Sequence, residues 1–109
     1  MGYVVGGNEL ETDAEGYLLE PNYSEEVVNV IAATQGIELT PRHWDVINYM
    51  RDQYREHGHT PNFRNMLKGV NEFWPEADSK ALYDLFPTGP AKQGAMVAGL
   101  PQPYGKGGY

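Results

Sequence analysis

Cysteine is absent from all 109 residues. That absence excludes disulfides, thiolate-held zinc, iron–sulfur ligation and thiol catalysis together. Long apolar runs are missing too, since nothing approaches the roughly eighteen consecutive apolar residues of a membrane span. The first ten residues have neither the basic start nor the apolar stretch of a secretory leader, so a soluble, cytoplasmic protein with no membrane contact is expected. Positive charge is missing from one region: residues 1–40 hold eight carboxylates and no Lys or Arg, while residues 41–109 hold the other seven carboxylates and all eight bases. The net charge of −7 thus belongs to the N-terminal third. Such a field opposes wrapping a phosphate backbone with the whole surface, and leaves room for a local basic patch further along.

What is present suits one modest hydrophobic core and a single domain, given 40% hydrophobic residues in a chain of this length. Residues 3–5 and 17–19 are short β-prone pieces separated by Gly6, Gly7, Asn8 and the turn signal at 13–16, and are expected to pair as a hairpin. Ser24 followed by Glu25 and Glu26 starts a helix, with Val27, Val30, Ile31 and Thr34 on one face and Gly36 as the stop. Thr40-Pro41 starts a second, whose stripe is Trp44, Ile47, Met50 and Tyr54 and whose end is Gly58. Thr60-Pro61 is expected to start a third in the same way, with Phe63, Met66, Leu67 and Val70 turned inward. The second and third together resemble a helix-turn-helix pair. Asp78 or Ser79 caps a short helix carrying Leu82, Leu85 and Phe86, and Gly89-Pro90 opens a last one over residues 91–98. Trp44, Ile47, Met50, Phe63, Leu67, Leu82 and Phe86 are expected to share the core. Gly99, Pro101 and Pro103 then forbid regular structure. The expectation is a mainly α fold: a small orthogonal helical bundle over residues 1–99, with an N-terminal β-hairpin and a flexible C-terminal arm over residues 100–109.

Chemistry-bearing clusters are few. His57-Gly58-His59 beside Glu56 lacks a third ligand at suitable spacing, so no metal is expected. His43 beside Trp44, at the start of an amphipathic helix, reads as packed or solvent-facing rather than as a proton-transfer group. No phosphate loop, nucleophile elbow or spaced acid pair is present. No cofactor and no catalytic residue are expected, and the chain does not read as an enzyme on its own.

The runs "GIELTPRHWDVINYMRDQY", "TPNFRNMLK" and "LYDLFPTGPAKQGAMVAGLPQPYGK" resemble the DsrC/TusE family of sulfur-relay proteins, which includes the gamma subunit of dissimilatory sulfite reductase. The resemblance covers residues 13–106, and the pieces "LFPTGP" and "AGLPQP" make it specific. It implies a small helical bundle with an N-terminal hairpin. It also implies an arm cysteine one position from the C-terminus and, in the DsrC branch, a second on the preceding helix. Lys106 stands at the first of these positions and Ala95 at the second. Gly107, Gly108 and Tyr109 run beyond the family's usual stop, and the whole pattern reads as a cysteine-free paralogue. A persulfide needs a thiolate, which neither an ammonium nor a methyl group replaces.

The implied role is a binding or regulatory partner of a sulfite reductase or a sulfurtransferase complex. The arm residues Gly99, Leu100, Pro101, Pro103, Tyr104, Lys106 and Tyr109 would make the contact, with Tyr104 as an aromatic anchor. Arg64 and Lys68, four apart on the third helix, match basic family positions and offer a possible contact for the arm, an anion or an acidic partner. The alternative is a DNA-binding regulator using the helix pair, with Arg64 and Lys68 at the groove and Arg42, Arg51 and Arg55 in support.

Overall fold

The computed structural model describes residues 2–103. Two strands, β1 (Gly2–Val5) and β2 (Asn8–Glu11), pair antiparallel with Val5 opposite Asn8 and Gly2 opposite Glu11. Between them Gly6 and Gly7 both take positive φ, +59° and +85°. Two consecutive left-handed residues form the tight turn that matches strand twist, so the chain folds back at once onto its next four residues. The hairpin expected between residues 3–5 and 17–19 is therefore corrected: the partner strand is Asn8–Glu11, and Leu18 makes only an isolated bridge to Thr12. Tyr17 and Leu18 serve the core instead, both buried.

Beyond the hairpin, the described residues form five helices: α1 (Glu25–Thr34), α2 (Pro41–His57), α3 (Phe63–Val70), α4 (Ser79–Leu85) and α5 (Pro90–Val97). Ser24 caps α1 by accepting from the Val27 N–H. Thr40 and His43 cap α2 reciprocally: the Thr40 hydroxyl accepts from the His43 N–H, and the Thr40 N–H donates to His43 Nδ1. Gly58, at φ +77°, closes α2. The α3 cap is Asn62, which accepts from the Asn65 N–H, and not Thr60. An extended Asn62 presents its amide oxygen to the first turn. Thr60 is buried two residues earlier.

The core differs from the expected list in its details. Ile47, Met50, Leu82 and Phe86 are fully buried, while Trp44, Phe63 and Leu67 pack against that cluster half-buried. On α1 the inward face is Val27, Val28, Ile31 and Ala32, and Thr34 is exposed. Thr34 spends its hydroxyl on the Ile31 carbonyl within its own helix. Helix α5 packs against α1, α2, α3 and α4, so the segment feeding the C-terminal arm is the most enclosed of the helices.

Candidate functional site at the base of the C-terminal arm

Helix α5 is rich in small residues, which lets its neighbours approach closely: Pro90, Ala91, Gln93, Gly94, Ala95 and Val97 are all buried. Gly99 comes next, with φ +79°. Its N–H donates to the Met96 carbonyl, and the Leu100 N–H reaches back to the Ala95 carbonyl, both at 3.1 Å. This is the glycine-dependent helix stop that satisfies the last carbonyls and turns the chain sharply aside. The Gly99 carbonyl then accepts from the Asn22 N–H at 2.8 Å.

Beneath this junction lies Arg51 of α2, only 5% exposed. Its Nε donates to the Ala98 carbonyl at 2.8 Å. Its Nη1 donates to the Tyr23 carbonyl at 2.8 Å, and its Nη2 to those of Asn22 and Ser24 at 3.2 and 2.9 Å. No carboxylate pairs with it among the described residues. Burial lowers its pKa from the ordinary value, and nearby Arg55 pushes the same way; Tyr23 and Glu25 oppose the shift. Four carbonyl dipoles take the place of a counter-ion. The Tyr23 ring covers the guanidinium at 5.7 Å and stacks with Arg55 at 4.6 Å.

The described arm residues rest on this platform. Leu100 is fully buried and Pro103 buried, Pro101 is half-buried, and exposed Gln102 donates to Glu15 at 3.2 Å. The stretch from Gly99 to Pro103 thus packs on the domain, which differs from an arm leaving freely at residue 100. Leucine after a glycine stop is an apolar anchor, and the hydrophobic cluster of the domain provides its seat. A cleft of about 230 Å³ opens beside the arm base, lined by Leu19, Tyr54, Thr60, Pro101 and Pro103 among others. The Thr60 hydroxyl is buried without a hydrogen-bond partner among the described residues.

Among the other residues singled out in the sequence, Ala95 is fully buried on α5. Tyr104, Lys106 and Tyr109 lie outside the described residues. Arg64 and Lys68 are exposed on α3 and do not line the cleft. The cations expected to support a nucleic-acid face are engaged elsewhere. Arg42 sits over Trp74 at 4.2 Å and pairs with Asp45, Arg55 pairs with Asp52, and Arg51 is buried under the arm. His57 and His59 have ring centroids 6.1 Å apart, with Glu56 3.7 Å from His57. No group of three or more His, Cys, Asp or Glu converges among the described residues. His43 is buried, its Nε2 on the Leu85 carbonyl and its Nδ1 on Thr40. No described helix is long and apolar enough to cross a membrane.

Sequence reasoning missed Arg51 and Asn22 as residues of the arm base. The signal for Arg51 was its position: four residues after Ile47, it continues the buried stripe of His43, Ile47 and Met50. A charged residue on an apolar stripe must find polar partners inside.

A mainly helical domain with a short hairpin and a glycine-turned C-terminal segment fixed to its core defines the class. The family model described as "DsrC like protein" matches residues 4–106, and the chain belongs to this DsrC/TusE family of sulfur-relay proteins. It is 48% identical to the sulfurtransferase TusE of Escherichia coli over 100 residues, covering 89% of this chain and 92% of that one. To TusE of Salmonella typhimurium it is 46% identical over the same shares. The solution structure of Allochromatium vinosum DsrC superposes with a TM-score of 0.83 at 41% identity, covering 93% of each chain. The oxidized gamma subunit of dissimilatory sulfite reductase from Archaeoglobus fulgidus gives 0.84 at 36% identity, over 94% and 97%.

Proposed function

We propose that this chain acts by binding, as a non-catalytic regulator or competitor within cytoplasmic sulfur metabolism, toward a sulfite reductase or a sulfurtransferase complex. The observation that carries the reading is an arm base built in full, with Gly99, Leu100, Pro101 and Pro103 seated on the domain, in a chain without any thiol. Lys106 and Ala95 occupy the positions where sulfur-carrying relatives place cysteine, and neither side chain can hold a persulfide. The arm would enter or block a partner's channel through Tyr104, Lys106 and Tyr109, while Arg64 and Lys68 supply an accessory basic contact on α3.

The experiment compares the affinity of the full chain for the sulfite reductase and the sulfurtransferase complex of its own organism with that of a chain ending at Pro103. Cutting there keeps buried Leu100 and Pro103, so a loss of binding reports on the arm and not on the fold. Binding that weakens on truncation, together with no mass gain on exposure to a loaded persulfide donor, supports the proposal. Unchanged affinity removes the arm from the mechanism. Absence of binding to either partner, with tight salt-sensitive binding to duplex DNA, favours the nucleic-acid reading instead.

A further inference from the structure

We propose that Arg51 is the positioning residue of the arm base: it ties the end of α5 to the segment before α1 and so fixes the path that residues 99–103 take over the domain. The inference rests on the reading that a partner engages the arm, and adds which residue orients it. The geometry is specific. One guanidinium spans two pieces of chain, the carbonyls of Asn22, Tyr23 and Ser24 on one side and that of Ala98 on the other. The backbone bond from Asn22 to Gly99 closes the same junction.

These are the residues at which the chain turns out of α5, since Ala98 is the C-cap and Gly99 carries the positive φ. A planar fork with several N–H groups in fixed directions can satisfy four carbonyls at once, whereas an ammonium of similar reach cannot hold both segments in one geometry. The buried charge also favours the closed junction. If the Ala98 end lets go, a desolvated cation loses an acceptor that no described carboxylate replaces. The arm base is therefore held in one arrangement, and the entropy cost of ordering the arm for a partner is partly met in advance.

The test uses the absence of cysteine. A single Gln102→Cys substitution on the exposed part of the arm base accepts one spin label, and its relaxation effects on domain amides report where that segment lies on the domain. The backgrounds are the otherwise unchanged chain, Arg51→Lys, Arg51→Met, and Val46→Ala as a core-destabilised control. Amide exchange at Asn22 and Leu100 is followed in parallel. Both Arg51 variants are expected to spread the label's effects over more of the domain and to speed exchange at those two amides by roughly tenfold or more, while Val46→Ala leaves the label map unchanged. Should Arg51→Met fail to fold, Arg51→Lys alone carries the test. An unaltered label map in a folded Arg51 variant overturns the proposal, as does an equal change in Val46→Ala. No partner enters the measurement, so its failure stands apart from failure of the functional reading.

Discussion

Gly99 and Asn22 are locked back to back: the Gly99 carbonyl accepts the Asn22 N–H at 2.8 Å, and a Cβ on Gly99 would collide with the Asn22 carbonyl oxygen and press on Val27 Cγ1 at 3.0 Å. Two requirements meet at this residue, a left-handed φ of +79° and the absence of a side chain. For an L-residue the first alone costs roughly 1–2 kcal/mol. Gly99→Ala is expected to lose more than this, because the collision is with backbone that cannot rotate away. Urea unfolding followed by circular dichroism measures it, and a loss below about 1 kcal/mol would show that the junction yields easily.

The core is graded, and the grading is testable. Phe86 is fully buried, edge-on to the His43 ring at 5.3 Å, whereas Leu67 is only half-buried at the margin of the cluster. Truncating a fully buried aromatic typically costs about 3–5 kcal/mol. Phe86→Ala should fall in that range and Leu67→Ala clearly below it. Equal losses in a thermal melt would mean that the margin is packed as tightly as the centre.

Alkaline stability is expected to depend on Tyr17. Burial, reinforced by the charges of Glu15 and Asp13, pushes its phenol from the ordinary 10.0 up to about 12. The unfolded chain then releases this proton more readily than the folded one, so the contribution is complete below pH 10 and is lost as the pH rises through about 12. Burial also raises Tyr3 and Tyr49, which add to the same trend. Stability measured across that window should decline with pH, and Tyr17→Phe should decline less steeply. An identical slope in the variant would remove Tyr17 as a cause.

Much of this architecture was legible locally. Ser24, Thr40-Pro41, Gly58, Asp78 and Gly89-Pro90 act where their own chemistry places them, because capping depends on neighbours a few residues away. The hairpin register was not, since residues 8–11 carry a single apolar side chain, Leu10, among three polar ones, and pair because Gly6 and Gly7 turn the chain back at once. At the site, the sequence pointed to residues 99–103 but left Leu100 in a free arm. Its burial depends on core residues that are distant in sequence. Arg51 was legible only as a cation, because its four acceptors are backbone carbonyls that carry no side-chain identity.

Ala95 is the residue that the family resemblance proposes as the counterpart of a helix thiol in the DsrC branch. It is fully buried, and its carbonyl is bonded to the Leu100 N–H. A thiol installed here by Ala95→Cys would lie among apolar neighbours, where burial raises its pKa and keeps reagents away. Gln102→Cys, on an exposed arm residue, provides the reactive reference. With a small alkylating agent, Ala95→Cys is expected to remain unmodified while native and to react fully in urea, whereas Gln102→Cys reacts in both. Intact mass before and after treatment decides the matter. Equal native reactivity at the two positions would mean that α5 opens readily. Protection at 95 would mean that a cysteine installed there alone leaves the chain unable to take up sulfur, because the thiolate must be reached before it can attack or be attacked.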